Sequence, residues 1–285
     1  MQKIAVLADI HGNLAALHAL IEDLERWSPD LVVVAGDIVN RGPQSGPCLD
    51  LVLRLVVERG WRVIRGNHER YVIGYDTDRH RPDFPRSGVH YEFSRIINWT
   101  HAQVADRIAT VAALPEHLRI DLGDGALVVY HASVRHDRDG LYAKASAALL
   151  TTQIDPSATI FCAGHTHMPF ARQLDGTLVV NVGSVGLPFD GDCRAAYARL
   201  TRGRAGWDAR IVRVPYDVAV TAWAFRHGGM FDAIGGHAPL LLREIETGRS
   251  LIFSFIPTYH ERIMAGALSL DEAVHEFLTV FDQTR

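Results

Sequence analysis

The first 64 residues alternate between short apolar runs and stretches with helical periodicity. The apolar run at residues 3–8 predicts a buried strand, and the leucine spacing in NLAALHALIEDLERW predicts an amphipathic helix directly after it. The chain then continues with a predicted second strand in LVVVAGD, a second helix at residues 49–57 and a third strand at residues 61–64. This alternation is typical of a parallel α/β sheet.

The pattern changes between about residues 70 and 120. YDTDRHRPDFPRSG is polar, charged and contains proline, which predicts a loop, whereas residues 93–114 predict a helix. We therefore expect residues 70–120 to be an insertion that forms a small cap. Strand patterns resume after it and predict a sheet with more local pairing, in the runs ALVVYHAS, TIFCAGHTH, TLVVNVGS, AAYARL and ARIVRV.

Helical patterns return in residues 215–285. DVAVTAWAFRHGG predicts one helix, and SLDEAVHEFLTVF predicts another that begins at an N-cap, Ser269. We therefore expect a core at residues 1–214, which includes the cap, and a helical C-terminal extension packed on that core at residues 215–285.

Five of the predicted strands end in side chains that commonly bind metal ions. The carboxyl ends of strands in an open α/β sheet form the edge where ligands bind. Taken singly, Asp9 could be a helix N-cap and Asn67 a turn former. Their recurrence at five strand ends instead favours one shared metal site, built from Asp9, His11, Asp37, Asn67, His131, His165 and His167.

The number and chemistry of these groups indicate two metal ions. Seven ligands exceed the four to six that a single ion takes, but they suit a pair of ions if one carboxylate is shared. Asp37 is the expected bridge, because it stands between the pairs contributed by the first and third strands. Oxygen and nitrogen donors without thiolate favour Mn, Fe, Zn, Ni or Co over Mg or Ca.

The order of these residues resembles the calcineurin-like metallophosphoesterase superfamily, in its small bacterial phosphoesterase and phosphodiesterase branch. The blocks of that family are D-x-H, G-D, G-N-H-[DE], H and G-H-x-H, and the chain contains them in order as DIH, GD, GNHE, YHAS and GHTH. With NVGSVGLPFDGDCRAAYARL, the resemblance covers about residues 1–200. It implies an α/β fold, an αββα sandwich of two mixed sheets packed face to face, with a helical insertion and a helical C-terminal extension added.

The resemblance also implies how the ligands are divided between the two ions. Two sets share Asp37: Asp9, His11, Asp37 and His167 form the first, and Asp37, Asn67, His131 and His165 form the second. The two histidines of GHTH therefore serve different ions. A metal-bridging hydroxide is then expected to attack phosphorus, with His68 donating a proton to the leaving group. The alternative for His68 is a hydrogen-bonding residue behind the ligands.

Other side chains near the blocks have two possible roles each. Arg41 follows Asp37 and is predicted to bind phosphate, as the arginine of similar GD-x-x-x-RG loops does in the protein-phosphatase and diadenosine-polyphosphatase branches; a surface salt bridge is the alternative. Arg65 is predicted to be structural. For Tyr91, Phe93 and Trp99 we favour core packing in the cap over an aromatic wall for a nucleoside base. The backbone of NVGS is expected to approach the site.

Composition limits the partners and the location. The formal net charge of −4 and the pI of about 6.4 provide no basic field, so nucleic acid is not an expected partner. The N-terminus lacks a signal-peptide pattern, and no apolar run reaches the roughly 18 residues of a membrane span. Three widely spaced cysteines fit a reducing compartment. We expect a cytoplasmic protein that does not bind membranes; the sequence does not indicate its oligomeric state.

The leading hypothesis is a metal-dependent hydrolase of small phosphorylated substrates, either phosphomonoesters or phosphodiesters, with nucleotides among them. A nuclease of the same superfamily is the second hypothesis, and the acidic balance of the chain weakens it. The third is a non-catalytic phosphate-binding module, a class that usually loses ligands which this chain retains.

Overall fold

Ten strands form two five-stranded sheets in the computed structural model, which describes residues 2–283. The first sheet has the order β10-β9-β1-β2-β3, with β1 Lys3–Leu7, β2 Leu31–Val34, β3 Arg62–Val63, β9 Ala195–Gly203 and β10 Gly206–Val214. The second has the order β4-β5-β6-β8-β7, with β4 His117–Asp121, β5 Ala126–Tyr130, β6 Ile160–Ala163, β7 Phe170–Leu174 and β8 Thr177–Asn181.

The three N-terminal strands are parallel, as their alternation with helices predicts. β1 pairs with β2 and β2 with β3 in parallel, through crossovers that contain α1 (Leu14–Trp27) and α2 (Ser45–Arg59). β9 then pairs antiparallel to β1 on its other side, so the sheet is mixed. The second sheet is mixed too, with β5, β6 and β8 parallel and two antiparallel edge strands.

Alternation along the strands explains why the two sheets pack face to face. In β1, Ile4 and Val6 belong to the apolar cluster that also contains Leu127 and Ile160 of the second sheet. The intervening residues of β1 pack instead on α1 and α2. α6 (Ala147–Gln153) covers the outer face of the second sheet. The predicted αββα sandwich is confirmed.

The inserted stretch is more helical than its composition predicts. It contains α3 (Asn67–Asp78), α4 (Gly88–Val104), a 3-10 turn and α5 (Ile108–Ala112). The predicted loop is therefore wrong for residues 75–78, which are the last turn of α3. This helix begins at Asn67 because the Glu69 carboxylate accepts a hydrogen bond from the Gly66 N–H, as in a capping box.

Five helices follow the sheets: α7 Val218–His227, α8 Met230–Ile234, α9 His237–Thr247, α10 Ile252–Met264 and α11 Leu270–Gln283. Ser269 and Glu272 exchange hydrogen bonds at the start of α11, as the predicted N-cap requires. The division into a core, a cap and a C-terminal extension stays a prediction. Within residues 2–283, none of the helices combines the length and the apolar character that crossing a membrane requires.

The C-terminal helices pack on the inserted helix α4. Trp99 packs against the cluster of α7, α8 and α9, and Phe93 against the cluster of α10 and α11. These contacts are the core packing that the sequence favours for the two rings. Tyr91 instead lines a surface pocket with Tyr75 and Phe84.

We expect Gly186→Ala to lower the free energy of unfolding by about 1–3 kcal/mol, as overpacking does elsewhere. A Cβ at Gly186 would lie 1.8 Å from the Ile10 carbonyl oxygen, so one of these two loops must move. Gly74→Ala is the control, because a Cβ there would meet no atom within 4 Å beyond the neighbouring residues and the backbone of its own helix, and alanine favours a helix. Urea unfolding measures both changes, and equal stability of the two variants would contradict the packing described here.

Candidate metal centre

All seven predicted ligands meet where strand ends of the two sheets adjoin. The first sheet contributes residues that follow β1, β2 and β3, and the second contributes residues that follow β5 and β6. Three overlapping groups result, each with ligand atoms within 4.8 Å of one another: Asp9, His11 and His167; Asp37, His131 and His165; and His11, Asp37 and His68. The convergence predicted from the sequence is therefore present in the fold.

The first group contains Asp9, His11 and His167. The Nε2 atoms of the two histidines lie 3.2 Å apart, and Asp9 Oδ1 is 3.3 Å from His167 Nε2 and 3.7 Å from His11 Nε2. Asp9 Oδ1 is buried and receives no hydrogen bond. This buried carboxylate oxygen has no hydrogen-bond donor and faces two imidazole nitrogens. Such an arrangement is suited to binding a cation.

The second group is built around an amide oxygen. Asn67 Oδ1 lies 2.9 Å from His131 Nε2 and 2.9 Å from His165 Nδ1. His131 Nε2 is also 3.2 Å from Asp37 Oδ2. Oxygen and nitrogen donors without sulfur are the set that Mn, Fe, Zn, Ni and Co accept.

Asp37 lies between the two groups. Its Oδ2 atom is 3.7 Å from His11 Nε2 of the first group and 3.2 Å from His131 Nε2 of the second. Its Oδ1 atom is engaged elsewhere, because it accepts a hydrogen bond of 2.9 Å from the His68 N–H. A single carboxylate oxygen therefore faces both groups, which is the placement that a bridging ligand needs.

Backbone carbonyls fix the orientation of two imidazoles among the predicted ligands. His131 Nδ1 donates to the Ala35 carbonyl at 2.8 Å, and His167 Nδ1 donates to the Leu187 carbonyl. In its neutral form each ring therefore carries its proton on Nδ1 and presents the lone pair of Nε2 to the centre.

The electrostatics of the centre favour positive charge. Burial opposes ionisation of Asp9 and Asp37, but the charges of His167 and His131 respectively hold both carboxyl pKa values below the ordinary range. Burial also opposes protonation of His131, yet the charge of Asp37 and its hydrogen bond outweigh this and raise the pKa of His131 to about 10. A divalent cation would supply the positive charge in place of that proton.

Five of the predicted ligands adopt a strained backbone conformation. Within residues 2–283, nine non-glycine residues have positive φ, and seven of them lie at this centre: Asp9, His11, Asp37, Asn40, Arg41, His165 and His167. Left-handed backbone disfavours side chains with a Cβ and clusters at functional sites. Backbone hydrogen bonds hold two of these turns together, from Asp9 N–H to the Gly36 carbonyl and from His11 N–H to the Asp37 carbonyl.

Glu69 is a site residue to which the sequence assigned no role. Its buried carboxylate accepts hydrogen bonds from the N–H groups of Gly66, Asp37, Ile38 and Val39, at 2.7, 2.8, 2.7 and 3.2 Å. It thereby ties the GNHE block to the GD block. Burial and the nearby Asp37 charge raise the pKa of Glu69 to about 7. An acidic residue three positions after a glycine helix cap was the available signal.

His68 borders both ligand groups. Its ring lies edge-on to that of His11, with centroids 4.8 Å apart. Asn40 Oδ1 accepts a hydrogen bond from the Arg41 N–H, so Asn40 Nδ2 is the atom that faces His68 Nδ1, at 2.7 Å. His68 Nδ1 is therefore an acceptor, and the neutral ring carries its proton on Nε2, 3.9 Å from Asp37 Oδ2. Burial lowers the pKa of His68.

The two arginines near the blocks have different partners. Arg41 Nη1 lies 3.5 Å from Glu244 Oε2 of α9, which is fully buried, so its ion pair is not the surface pair considered from sequence. Arg65 donates to the Ala112 carbonyl at 2.9 Å and pairs with Glu116, contacts that agree with a structural role.

The NVGS segment supports two ligand turns. Ser184 Oγ donates to the Asp9 carbonyl at 2.7 Å, and Asn181 Nδ2 donates to the Gly164 carbonyl at 2.8 Å. After the NVGS segment in the chain, the Phe189 ring stacks on the His167 ring with their centroids 4.3 Å apart. The ring centroid of Phe253, in α10, lies 6.3 Å from that of Phe189. Phe189 and Phe253 are thus aromatic residues near the centre that the sequence reasoning missed.

We expect Glu69→Gln to destabilise the protein, because an amide NH₂ would face backbone donors, and each unsatisfied buried group costs about 1–3 kcal/mol. Thermal or urea unfolding of the purified variant measures the loss. The control is Glu116→Gln, where the side chain is 69% exposed and the loss should stay below about 1 kcal/mol. A Glu69→Gln variant as stable as the control would show that the four hydrogen bonds do not support the centre.

Solved structures resemble this chain over most of its length. A metallophosphoesterase from Sphaerobacter thermophilus is 28% identical, with a TM-score of 0.68 and coverage of 87% of this chain and 99% of its own. A hypothetical protein from Pyrococcus horikoshii OT3 is 18% identical, with a TM-score of 0.71 and coverage of 88% and 100%, a likeness of fold alone.

Sequence comparisons extend this likeness to curated relatives. An uncharacterised protein of Methanocaldococcus jannaschii is 26% identical over 234 residues, 75% of this chain and 88% of that protein. The asymmetrical bis(5′-nucleosyl)-tetraphosphatase PrpE of Halalkalibacterium halodurans is 27% identical over 154 residues, 49% of this chain and 60% of PrpE. A family model for the calcineurin-like phosphoesterase superfamily domain matches residues 2–203, a range that contains all seven predicted ligands. The chain therefore belongs to the calcineurin-like phosphoesterase superfamily.

Proposed function

We propose that the protein hydrolyses small phosphate esters with two divalent metal ions. The observation that carries this proposal is the position of Asp37 Oδ2, which faces both His11 Nε2 and His131 Nε2. When bound, two such ions lower the pKa of water toward neutrality and neutralise the charge of a phosphate. Mn, Fe, Zn, Ni and Co are the candidates that the donor set supports.

The residues of the centre divide into two ligand sets around Asp37. The hydrogen bonds of His131 and His167 to carbonyls leave Nε2 of each ring for a metal ion. The first ion would be held by Asp9, His11, Asp37 and His167, and the second by Asp37, Asn67, His131 and His165.

His68 and Arg41 would act on the substrate. The contact with Asn40 orients the His68 ring so that Nε2 faces the ligand groups, where the ring, once protonated to the imidazolium form, would donate its Nε2 proton to the leaving-group oxygen. The guanidinium of Arg41 would hold a phosphate oxygen, because it lies in the loop that joins Asp37 to α2. The presence of His68 beside a full ligand set favours catalysis over a non-catalytic binding module.

A nucleotide is the finer proposal for the substrate. PrpE, which is named as a bis(5′-nucleosyl)-tetraphosphatase, is one relative that supports it. The second support is Phe253, whose ring is 68% exposed and lies near Phe189, the residue stacked on His167. A nucleoside base could stack on this exposed ring. We also propose a cytoplasmic location, which the buried thiols of Cys48 and Cys162 support.

The test of the proposed function is hydrolysis by purified protein supplied with Mn²⁺, Ni²⁺, Zn²⁺ or Fe²⁺. p-Nitrophenyl phosphate and bis-p-nitrophenyl phosphate separate monoesterase from diesterase activity. Mononucleotides, cyclic nucleotides and dinucleoside polyphosphates then test the nucleotide proposal, and salt-dependent binding to DNA tests the nuclease alternative. Failure on every substrate with every metal would contradict the proposal.

Asp37→Asn should lose metal and activity together, because the variant removes the charge that both ligand groups share. We expect metal affinity to fall on the order of 100-fold or more. Elemental analysis after dialysis gives the metal content, and initial rates give the activity. The control is Asp106→Asn, where the carboxylate is exposed and paired with Arg107. Full activity of Asp37→Asn would contradict the role of the shared aspartate.

His68→Ala should retain metal but lower turnover by about 10²–10⁴-fold on substrates with poor leaving groups, the usual contribution of a general acid. The loss should be smaller on p-nitrophenyl phosphate, whose leaving group needs little protonation. His275→Ala, at an exposed position of α11, is the control. Equal losses on the two kinds of substrate would show that His68 acts in some way other than proton donation.

A further inference from the structure

Glu244 of α9 is a fully buried carboxylate whose two oxygens have different partners. Oε1 accepts hydrogen bonds from the N–H groups of Leu251 and Ile252, at 2.7 and 2.9 Å, where α10 begins. Those two bonds satisfy free donors at the start of a helix. Oε2 is also buried but receives no hydrogen bond, and Arg41 Nη1 lies 3.5 Å away from it.

Both the backbone and the guanidinium group of Arg41 are held in place by their surroundings. Its backbone has φ of +65° and follows Asn40 at +72°, and its N–H donates to Asn40 Oδ1. The next residue, Gly42, packs so closely that a Cβ there would lie 1.9 Å from the His11 carbonyl oxygen. At the other end, Nη1 is buried, forms no hydrogen bond and faces Glu244. The side chain is 16% exposed.

Helix capping accounts for only half of the Glu244 carboxylate. Oε1 alone accepts the hydrogen bonds from the Leu251 and Ile252 N–H groups at the start of α10. A neutral acceptor, such as an amide oxygen, would cap this helix equally well. The negative charge of Glu244 is therefore not needed for capping, and its second oxygen faces Arg41. A buried charge destabilises the fold unless a partner of opposite charge balances it. Because a long side chain loses rotamer freedom when it binds, one that is already oriented binds a phosphate more tightly.

We propose that Glu244 is a positioning residue, through which the C-terminal helices orient the Arg41 guanidinium for the phosphate of the substrate. The proposal rests on the proposed function, since it requires a phosphate at the metal centre. The ion pair occupies Nη1 and leaves Nε and Nη2 of Arg41 to donate hydrogen bonds to phosphate oxygens. The phosphate affinity of the centre then depends on a residue that lies outside the range matched by the family model.

The test is Glu244→Gln in the metal-loaded full chain, with inorganic phosphate as the probe. Glutamine keeps a carbonyl oxygen for Leu251 and Ile252 but carries no charge for Arg41. We expect the Kd of phosphate, measured by titration calorimetry, and the KM for p-nitrophenyl phosphate to rise about 10-fold, the effect of losing one charge-assisted contact. The metal content and kcat should change little. A lower Kd would overturn the proposal, because Glu244 would then compete with phosphate for Arg41.

A double-mutant cycle separates positioning from a merely structural role. Arg41→Ala should weaken phosphate binding by itself, and Glu244→Gln should add nothing in that background. Equal effects of Glu244→Gln in both backgrounds would overturn the proposal. Glu246→Gln is the matched control on the same helix, because Glu246 pairs with Arg226 and Arg243 instead, and its Kd should equal that of the wild type.

Two further measurements distinguish loss of Arg41 positioning from loss of protein stability, and failure of this proposal from failure of the proposed function. If Glu244→Gln does not fold, Glu244→Asp withdraws the charge from Arg41 by one methylene, and a Kd equal to that of the wild type would overturn the proposal. Phosphate binding needs no turnover, so the cycle tests Glu244 separately from hydrolysis. If the wild type hydrolyses phosphate esters but the effects of Glu244→Gln and Arg41→Ala on the Kd of phosphate are additive, the role of Glu244 is contradicted and the proposed function is not.

Discussion

The charges of Asp9 and Asp37 are the constraint on which the rest of the structure depends. Both carboxylates are buried where strand ends of two sheets meet, and a buried charge is unfavourable unless it is balanced. Among residues 2–283, the ion pairs that these two groups form are all with imidazoles, which are titratable sources of positive charge. A divalent cation carries a fixed positive charge that would balance these carboxylates in place of the imidazolium protons, so their burial makes the centre suitable for metal chemistry.

The surrounding structure holds the predicted ligands against their own backbone preferences. Five of the seven have positive φ, a conformation that costs on the order of 1–3 kcal/mol for each residue with a Cβ. Groups outside the ligand set maintain it: Glu69 joins the turns after β2 and β3, Ser184 holds the Asp9 carbonyl, and Asn181 holds the turn that precedes His165. The buried ion pair of Arg41 with Glu244 extends this network into the C-terminal helices.

Local patterns predicted what depends on local chemistry. Apolar runs predicted the parallel strands β1, β2 and β3, and side chains at strand ends predicted which residues lie together, because the carboxyl ends of parallel strands share one edge. The edge strand β4 was missed, since its residues alternate between exposed and half-buried positions and form no apolar run. The hydrogen bond between Asn40 and His68, and the pairing of Arg41 with Glu244, were also missed. They join residues distant in sequence, and no periodicity reports such contacts.

The most direct measurement is crystallography of protein prepared with excess Mn²⁺, combined with elemental analysis and with anomalous diffraction to locate the ions. Two anomalous peaks about 3.5–4 Å apart are expected in each chain, the separation usual for paired metal ions in hydrolases, with Asp37 as a ligand of both. One peak, no peak, or two ions that do not share Asp37 would contradict the dinuclear centre.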